Sequence, residues 1–322
     1  MILPELKIGH LTARVPIIQG GMAVKISMAP LAAAVANEGG IGLIAATGLS
    51  EDELRQEIRQ AKALSDGIIG INCMFAAKVF ANLVKVAIEE KIDLIVAGAG
   101  FSRDIFQWGK ESNTPIVPIV SSARLAKLAE KMGAAAVIVE GKEAGGHLGT
   151  DESMKKIVPE VVEAVKIPVI AAGGIVDGTD IVEAFQMGVQ GVQMGTRFVA
   201  SDESSASEAF KKLYIQSTHD DIILIDSPVG LPGRGLKNPF WQKLEQGNDL
   251  APENCIGCLK HCSRRFCILD ALNRAQQGDL EFGLVFSGED VEKIKEVLPV
   301  KEIFRRLLQE AEDYPKESVD IQ

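Results

Sequence analysis

The sequence predicts a single eight-stranded β/α barrel, and two observations support that prediction. Short apolar runs alternate with longer amphipathic stretches, which is the pattern of repeated β-α units around a parallel sheet. In a doubly wound dinucleotide fold, a Gly-x-Gly-x-x-Gly turn should follow the first strand, but Met-Ala-Val-Lys (residues 22–25) stands there instead. The sequence therefore favours a closed barrel over an open sheet.

The eight strand candidates are rich in Ile, Val and Ala with little polar alternation, as expected of strands buried on both faces. They are residues 15–21, 41–46, 68–74, 94–100, 116–120, 136–141, 169–174 and 192–198. Helical segments are predicted between them at 29–37, 51–64, 77–90, 123–132, 154–165 and 179–187. Gly133 and Gly188 follow two of these segments directly, which is a common C-terminal stop signal for a helix.

The pattern changes after residue 198, where the chain becomes more polar and rich in turns. We predict that residues 1–200 form the barrel body and that residues 201–322 form a C-terminal extension. The extension should contain a cysteine cluster, a cap near the active-site mouth, and closing helices at 291–298 and 301–310, separated by Pro299.

Composition argues against several classes of function. A formal charge of −10 and an aromatic content of 5% argue against a nucleic-acid partner, which needs clustered basic residues and stacking platforms. No apolar run approaches the ~20 residues that span a membrane, and the N-terminus lacks the pattern of a signal peptide. We therefore expect a cytoplasmic protein whose five cysteines are reduced.

Barrel enzymes carry their chemistry at the C-terminal ends of the strands. Strand seven ends in Ala-Ala-Gly-Gly-Ile (171–175) and strand eight in Gly-Thr-Arg-Phe (195–198). Glycines there expose backbone N–H groups at the usual phosphate site of this fold. We therefore favour a phosphate site over the alternative that these glycines only form tight turns.

Other strand ends add polar chemistry. His147 follows strand six in a glycine-rich loop, where it could act as a general acid or base, or could simply pack the loop. Gly20 and Gly21 would let a flat ring approach the backbone, and Asn72 offers donors and acceptors to a polar ligand edge. The position of His147 at the catalytic face favours a functional role.

These motifs together resemble those of the nitronate monooxygenase (2-nitropropane dioxygenase) family, which includes the FMN-dependent enoyl-acyl-carrier-protein reductases of type II. The matching segments occur in the family's order and cover the whole predicted barrel. They are Pro-Ile-Ile-Gln-Gly-Gly-Met (16–22), Gly-Ile-Asn (70–72), Glu-Gly-Lys-Glu-Ala-Gly-Gly-His (140–147), Ala-Ala-Gly-Gly-Ile (171–175) and Gly-Thr-Arg-Phe (195–198). The match to the reductases weakens beyond residue 200, although residues 230–234 and 283–288 resemble other members.

The resemblance implies an FMN cofactor held by the barrel body. It implies that the FMN phosphate lies on Gly173, Gly174, Gly195 and Thr196. It places the rest of the cofactor against Gly21, Met22, Asn72, Glu140, Ala144, Gly145, Gly146 and Ala172. By the same resemblance, His147 is the catalytic residue beside the flavin and the substrate.

The predicted extension contains four cysteines at short spacing, Cys255, Cys258, Cys262 and Cys267. Such thiolates suit zinc or an iron–sulfur cluster, while the alternative is four reduced cysteines on a helix and turn. Between them stand the basic residues Lys260, His261, Arg264 and Arg265, which could dock a nicotinamide cofactor or an acyl-carrier protein, or form a solvated face.

Three functions are consistent with this sequence. The first is a nitronate monooxygenase-like oxidation of alkyl nitronates or a related small carbon acid. The second is an enoyl-acyl-carrier-protein reductase II-like reaction with NAD(P)H as electron donor. The third is a non-catalytic FMN-binding redox sensor, against which the position of His147 argues. The first two require a small-molecule substrate, and all three are compatible with a homodimer.

Overall fold

The structure, a computed structural model, describes residues 1–315, so the end of the predicted extension at residues 316–322 lies outside it. Thirteen strands are assigned in the described chain. They are β1 (Leu6–Ile8), β2 (Leu11–Ala13), β3 (Ile17–Gln19), β4 (Ile41–Ala45), β5 (Ile68–Met74), β6 (Leu94–Gly98), β7 (Ile116–Val120), β8 (Val137–Glu140), β9 (Gly146–His147), β10 (Val169–Ala172), β11 (Gly191–Met194), β12 (Ile222–Asp226) and β13 (Pro232–Leu236).

Twelve α-helices accompany these strands in the described residues. They are α1 (Ala29–Asn37), α2 (Glu51–Leu64), α3 (Phe80–Glu89), α4 (Arg103–Ser112), α5 (Ala123–Met132), α6 (Met154–Ala164), α7 (Gly178–Gln186), α8 (Thr196–Val199), α9 (Glu208–Gln216), α10 (Pro239–Glu245), α11 (Ile268–Gln277) and α12 (Val300–Asp313). None of these helices is both long and apolar enough to cross a membrane.

The predicted barrel is confirmed. Strands β3 to β8, β10 and β11 pair in chain order, all in parallel, and β11 closes on β3 through the pairing of Met194 with Gln19. Seven of the eight strands lie within the regions that the apolar runs indicated, and β11 begins one residue before its region. Because the strands run in parallel, all their C-terminal ends meet at one end of the barrel.

The barrel interior is a packed apolar core, and the N-terminal hairpin closes it at the N-terminal ends of the strands. Inward-facing side chains such as Ile18, Leu43 and Ile138 form one buried cluster with Leu6 and Ile8 of the β1–β2 hairpin. The hairpin therefore covers the N-terminal end of the strands, and the opposite end is left for ligands. The sequence interpretation did not include this hairpin, whose strands are only three residues long.

The last helix completes the outer layer. Helix α12 buries Val300, Ile303, Phe304 and Leu307 in the cluster between the strands and the outer helices. It packs against α1 and α7, so the barrel's final helix is supplied from the far end of the chain. Residues 200–299 are thus inserted between this helix and the short helix that follows the eighth strand.

The insertion contributes a small antiparallel sheet above the barrel. Strand β13 pairs with β12 on one side and with β9 on the other, where Gly233 lies opposite His147. Helices α9, α10 and α11 surround this sheet, with Phe240, Leu272 and other apolar side chains buried beneath them. The sheet therefore joins the loop after β8 to the insertion.

Two sequence predictions need correction. The predicted strand 192–198 ends at Met194, and Thr196–Val199 forms a helical turn because Gly195 breaks the extended chain. The predicted helix 291–298 is only a single 3-10 turn at Val291–Lys293, since Pro299 and the extended backbone of Ile294 leave it no room to continue. The helix predicted at 301–310 is present and runs longer, over Val300–Asp313.

Candidate active site

Two adjoining cavities open at the C-terminal end of the barrel, with volumes of about 230 and 130 Å³. They share Gly21, Met22, Asn72, Glu140 and Gly195 in their walls, so they form one continuous site. Every residue that the sequence analysis assigned to cofactor binding or catalysis lines one or both of them. The larger cavity adds Gly146 and His147, the smaller adds Ala144, Ala172, Gly173 and Gly174, and both contain Gly145 and Thr196.

Glycines let the backbone form the walls of this site. A Cβ on Gly21 would lie 2.3 Å from the Cβ of Asn72, so only glycine allows these two strand ends to approach. Gly173 and Gly174 have φ angles of +98° and +70°, a left-handed conformation that side-chain-bearing residues rarely adopt. The chain after β10 can therefore turn its peptide groups toward the smaller cavity.

His147 is held at the joint between the barrel and the insertion. Its Nε2 atom lies 2.7 Å from the hydroxyl oxygen of Ser227, on the loop between β12 and β13. The imidazole ring meets Phe286 edge to face, with ring centroids 5.1 Å apart. Burial lowers the pKa of His147 to about 4, so the imidazole is neutral at physiological pH.

A buried arginine fixes the loop that carries His147. The Nε and Nη2 atoms of Arg234 donate to the carbonyl oxygen of Lys142 at 3.1 and 2.7 Å. Nη2 of Arg234 also lies 3.5 Å from a carboxylate oxygen of Glu289, which offsets the charge of the guanidinium. Arg234 thus holds the β8–β9 loop against the insertion.

Glu140 stands at the end of β8, where both cavities meet. Desolvation by the surrounding barrel raises the pKa of this carboxyl group to about 7. The group can therefore hold or release a proton near neutral pH.

Acidic side chains flank the smaller cavity. Glu143 accepts a hydrogen bond from the backbone N–H of Met154 at 2.9 Å, and Glu289 faces Arg234. Asp290 lies close to Gly174, since a Cβ on that glycine would be 3.2 Å from the carboxylate. Burial raises the pKa of Asp290, and Lys293 partly offsets this effect. A bound anion would therefore experience repulsion from Asp290.

The insertion supplies an apolar wall that the sequence interpretation missed. Tyr214, Ile268, Leu269, Leu272 and Phe286 line the larger cavity on the side away from the barrel. Their types are those of ordinary core residues, and their position over the barrel is what places them in the site. The available signals were the helical periodicity of α11, where Ile268, Leu269 and Leu272 share a face, and the resemblance of residues 283–288, which include Phe286, to other family members.

Two further polar residues at the site were also missed. Gln193, on β11, lines the smaller cavity, and its buried Oε1 atom has no hydrogen-bond partner in the described structure. Ser227 follows an alternating strand and carries no motif, so nothing in the sequence distinguished it from a turn serine. To identify either residue from the sequence, one would need to know which strands and loops meet in the fold.

The four clustered cysteines lie outside these cavities' walls. Cys255 and Cys262 are exposed, whereas Cys258 and Cys267 are half-buried. Within residues 1–315, no group of three or more His, Cys, Asp or Glu side chains is arranged to hold a metal ion. Three of these cysteines lie on an irregular segment, and Cys267 is the N-cap residue of α11. The structure therefore does not place the four cysteines on one helix and turn, which was the alternative to metal binding.

Comparison with known proteins decides the family. The family model described as nitronate monooxygenase matches residues 5–90 and 73–310. The chain belongs to the nitronate monooxygenase family. This family is FMN-dependent, and its members are oxidoreductases, which makes this protein an enzyme and overturns the alternative of a non-catalytic sensor.

Individual relatives differ in their reactions. The chain is 34% identical to a (3aS,4S,5R,7aS)-5-hydroxy-7a-methyl-1-oxo-octahydro-1H-indene-4-carboxyl-CoA dehydrogenase of Mycobacterium tuberculosis, over 72% of this chain. The matched region spans 66% of that relative, just under two thirds of its length. A probable nitronate monooxygenase of Staphylococcus saprophyticus is 31% identical, over 76% of this chain and 82% of its own.

One solved structure matches both parts of the chain. FabK from Thermotoga maritima superposes with a TM-score of 0.84 and 36% identity, over 93% of each chain. Because the superposition covers 93% of this chain, it extends beyond residue 200 into the insertion.

The residues at the barrel end fit FMN. The left-handed glycines after β10 leave room for a phosphate against backbone N–H groups. The unpartnered Oε1 atom of Gln193 offers an acceptor to a cofactor hydroxyl group. The close approach of Gly21 to Asn72 leaves a flat wall for a ring.

Proposed function

We propose that the protein is an FMN-dependent reductase of an activated carbon–carbon double bond, with NAD(P)H as electron donor and a neutral acyl thioester as substrate. The charge of the larger cavity carries this proposal. The ionisable groups in its wall are Glu140, His147 and Tyr214, and none of these lining residues is a lysine or arginine. A nitronate is an anion that would need a positive partner when desolvated, whereas an enoyl thioester is neutral.

FMN, when bound, supplies the transfer of hydride between nicotinamide and substrate. We assign its phosphate to Gly173, Gly174, Gly195 and Thr196, as the family resemblance predicts. The remaining predicted residues, Gly21, Met22, Asn72, Glu140, Ala144, Gly145, Gly146 and Ala172, would surround its ring and ribityl chain, and Gln193 joins them.

His147 is the residue that we assign to the substrate oxygen. The Oγ atom of Ser227 accepts a hydrogen bond from the backbone N–H of Val229, with 3.4 Å between N and Oγ. The hydroxyl proton of Ser227 is therefore free to point at Nε2 of His147. This arrangement leaves the imidazole proton on Nδ1, where it can stabilise a developing enolate oxygen. Reduction of the double bond needs one proton besides the hydride; the neutral imidazole keeps its own, so the enolate takes this proton from solvent water.

The apolar wall suits the chain of an acyl substrate. Leu269 and Leu272 on α11 line the larger cavity together with Met22 and Val24, and all four are apolar. The basic residues Lys260, His261, Arg264 and Arg265 are exposed nearby, since Ser263 donates to the carbonyl of Pro228, next to Ser227, at 3.0 Å. The cations of Lys260, Arg264 and Arg265, with His261 beside them, would dock the phosphate of a thioester carrier, coenzyme A or an acyl-carrier protein.

Nitronate oxidation is the second candidate, because the family model and the staphylococcal relative carry that name. Steady-state assays separate the two functions. NAD(P)H consumption with crotonyl-CoA and longer enoyl thioesters should exceed, by at least tenfold in kcat/KM, oxygen consumption with ethyl- or propylnitronate. If the enzyme consumes oxygen rapidly with the nitronates and consumes no NAD(P)H with the thioesters, nitronate oxidation becomes the first candidate function.

A further inference from the structure

Another cavity, which we term the outer cavity, adjoins the larger cavity of the active site. Its volume is about 630 Å³, against about 230 Å³ for the larger active-site cavity. Val24 and Leu269 belong to the walls of both, so the two cavities meet at these residues. Met22 and Leu272, by contrast, line the active-site cavity but not the outer cavity. A substrate that is longer than the active-site cavity therefore has a route outward past Val24 and Leu269.

The junction between the two cavities depends on a glycine. A Cβ on Gly48 would lie 3.4 Å from Cγ1 of Val24 and 3.8 Å from Cδ2 of Leu269. Gly48 lies in the loop between β4 and α2 and has a φ angle of +94°, a conformation that favours glycine. A side chain at this position would fill the space between Val24 and Leu269. The bare backbone of Gly48 therefore keeps the passage open.

The wall of the outer cavity combines apolar and amide groups. Ile256 adds an apolar side chain beyond the junction, next to the ring of Pro252. Asn254 and Asn273 each bring a side-chain amide, which can both donate and accept hydrogen bonds. Such a wall suits a ligand segment that itself alternates alkyl and amide groups.

The charges in this wall do not favour a phosphate inside the cavity. Among its described lining residues the one cation is Lys25, and Nζ of Lys25 already pairs with Glu53 at 2.8 Å. Asp270 pairs with Nε of Arg274 at 2.7 Å, and Glu253 adds a further negative charge. An anion in the cavity would therefore meet repulsion, so the segment of ligand that it holds should be neutral.

Positive charge lies at the rim instead. Gly257 directly follows Ile256, and a Cβ on this glycine would lie 3.2 Å from Nζ of Lys78. The backbone N–H of Lys78 also donates to the carbonyl oxygen of Cys258 at 2.9 Å, which fixes Lys78 beside this part of the chain. Lys260 follows two residues later and is exposed. A ligand that leaves the outer cavity along Ile256 therefore passes from a neutral wall to cations.

We propose that the outer cavity binds the pantetheine arm of the thioester substrate, an inference that rests on the proposed reduction of an enoyl thioester. Coenzyme A and acyl-carrier proteins present the same arm, which is neutral, alternates alkyl and amide groups, and ends in a phosphate. In this arrangement the amides face Asn254 and Asn273, the geminal methyl groups contact Ile256, and the phosphate lies outside the cavity beside Lys78. The acyl chain stays in the active-site cavity, against Leu272.

Crotonyl thioesters with arms of different length test the proposal in the FMN-loaded full chain. The value of kcat/KM for crotonyl-pantetheine should exceed that for crotonyl-N-acetylcysteamine, which lacks the outer part of the arm, by about tenfold. Asn273→Trp fills the outer cavity and should reduce this ratio to about two, and Asn273→Ala, which removes only the amide, should give an intermediate ratio. Gln277→Trp, an exposed change on the same helix, should keep the ratio of the parent.

The two carriers are compared in the same way. Crotonyl-coenzyme A and a crotonyl acyl-carrier protein share the arm, so the higher kcat/KM in the parent shows which of them supplies it. Asn273→Trp should lower kcat/KM for that carrier by about the factor found with crotonyl-pantetheine.

Calorimetric titration with S-methylpantetheine provides a readout that is independent of turnover. The parent should bind this compound about tenfold more tightly than Asn273→Trp does. A ratio near one for the two short thioesters in the parent, or equal binding of S-methylpantetheine by the parent and Asn273→Trp, would overturn the proposal even if the thioesters are reduced. If no thioester is reduced, the proposed function fails, and the calorimetric comparison still decides whether the outer cavity binds the arm.

Discussion

Nε2 of His147 and the hydroxyl oxygen of Ser227 lie 2.7 Å apart, across the joint between the barrel and the insertion. His147 comes from the loop after β8, and Ser227 comes from the turn between β12 and β13. Because β9 pairs with β13, this distance is set by backbone hydrogen bonds rather than by flexible side chains alone. The insertion thereby orients the residue that we assign to the substrate oxygen.

Replacing Ser227 tests this orientation. Ser227→Ala should lower kcat about tenfold and change KM little, because the imidazole loses the partner that fixes its tautomer. Ser227→Thr keeps the hydroxyl group and should restore most of the rate. Equal losses in the alanine and threonine variants would indicate that the residue only packs the turn.

Replacing His147 tests catalysis directly. His147→Ala should reduce turnover about 100-fold or more while FMN stays bound, since removal of a hydrogen-bond donor to the developing enolate costs that much and the phosphate site is untouched. The matched control is His10→Ala, because His10 is exposed at the far end of the barrel, in the turn between β1 and β2. Unchanged turnover in His147→Ala would refute the assignment.

Glu140 should make the stability of the FMN-free protein depend on pH. Its folded-state pKa of about 7 lies above the ordinary value of 4.5, so the unfolded chain releases this proton first as pH rises. Its contribution is therefore fully present below pH 4.5 and is lost as pH rises to about 7. In urea titrations, Glu140→Gln should be more stable than the parent by on the order of 3 kcal/mol at pH 8, with little difference at pH 4.5.

Asp290 should weaken the binding of the FMN phosphate. Its carboxylate lies beside Gly174, where the resemblance places that phosphate. Asp290→Asn should tighten FMN binding several-fold by removing a like charge, as measured by fluorescence titration of the FMN-free protein. Asp104→Asn, an exposed change on the outer helix α4, should leave the dissociation constant unchanged. Weaker binding by Asp290→Asn would place the phosphate elsewhere.

The wall formed by α11 should limit the length of the substrate. Leu272→Trp fills the larger cavity, so kcat/KM for enoyl thioesters should fall more than tenfold for long acyl chains and less for crotonyl-CoA. Leu224→Trp is the control, because Leu224 is an exposed residue on β12. A uniform loss across chain lengths would show that Leu272 does not contact the acyl chain.

The barrel could be predicted because its signals are local. Each strand is a short run of branched apolar residues between amphipathic helices, and α1, α2 and α5 have the predicted ends. Capping explains that accuracy for α2, where Ser50 and Glu53 form a capping box, and for α5, where Gly133 adopts the left-handed conformation. The resemblance drew the predicted site residues from these same segments, and they line the two cavities.

The insertion could not be predicted in the same way, because its order comes from long-range contacts. Strand β13 contains Gly233 and Gly235, which are poor strand formers, and exists because β12 and β9 pair with it. The contact of Ser227 with His147 joins residues 80 positions apart. No periodicity in either segment signals such a meeting.

The most direct test of the central claim is an anaerobic titration of the FMN-loaded enzyme followed by visible absorbance. NADH or NADPH should bleach the flavin band near 450 nm, roughly as for other flavoproteins, and crotonyl-CoA should restore it with one equivalent per chain. His147→Ala should bleach normally and recover at least 100-fold more slowly. A protein that fails to take up FMN, or whose bleached flavin recovers only with oxygen and never with an enoyl thioester, would contradict the proposed reaction.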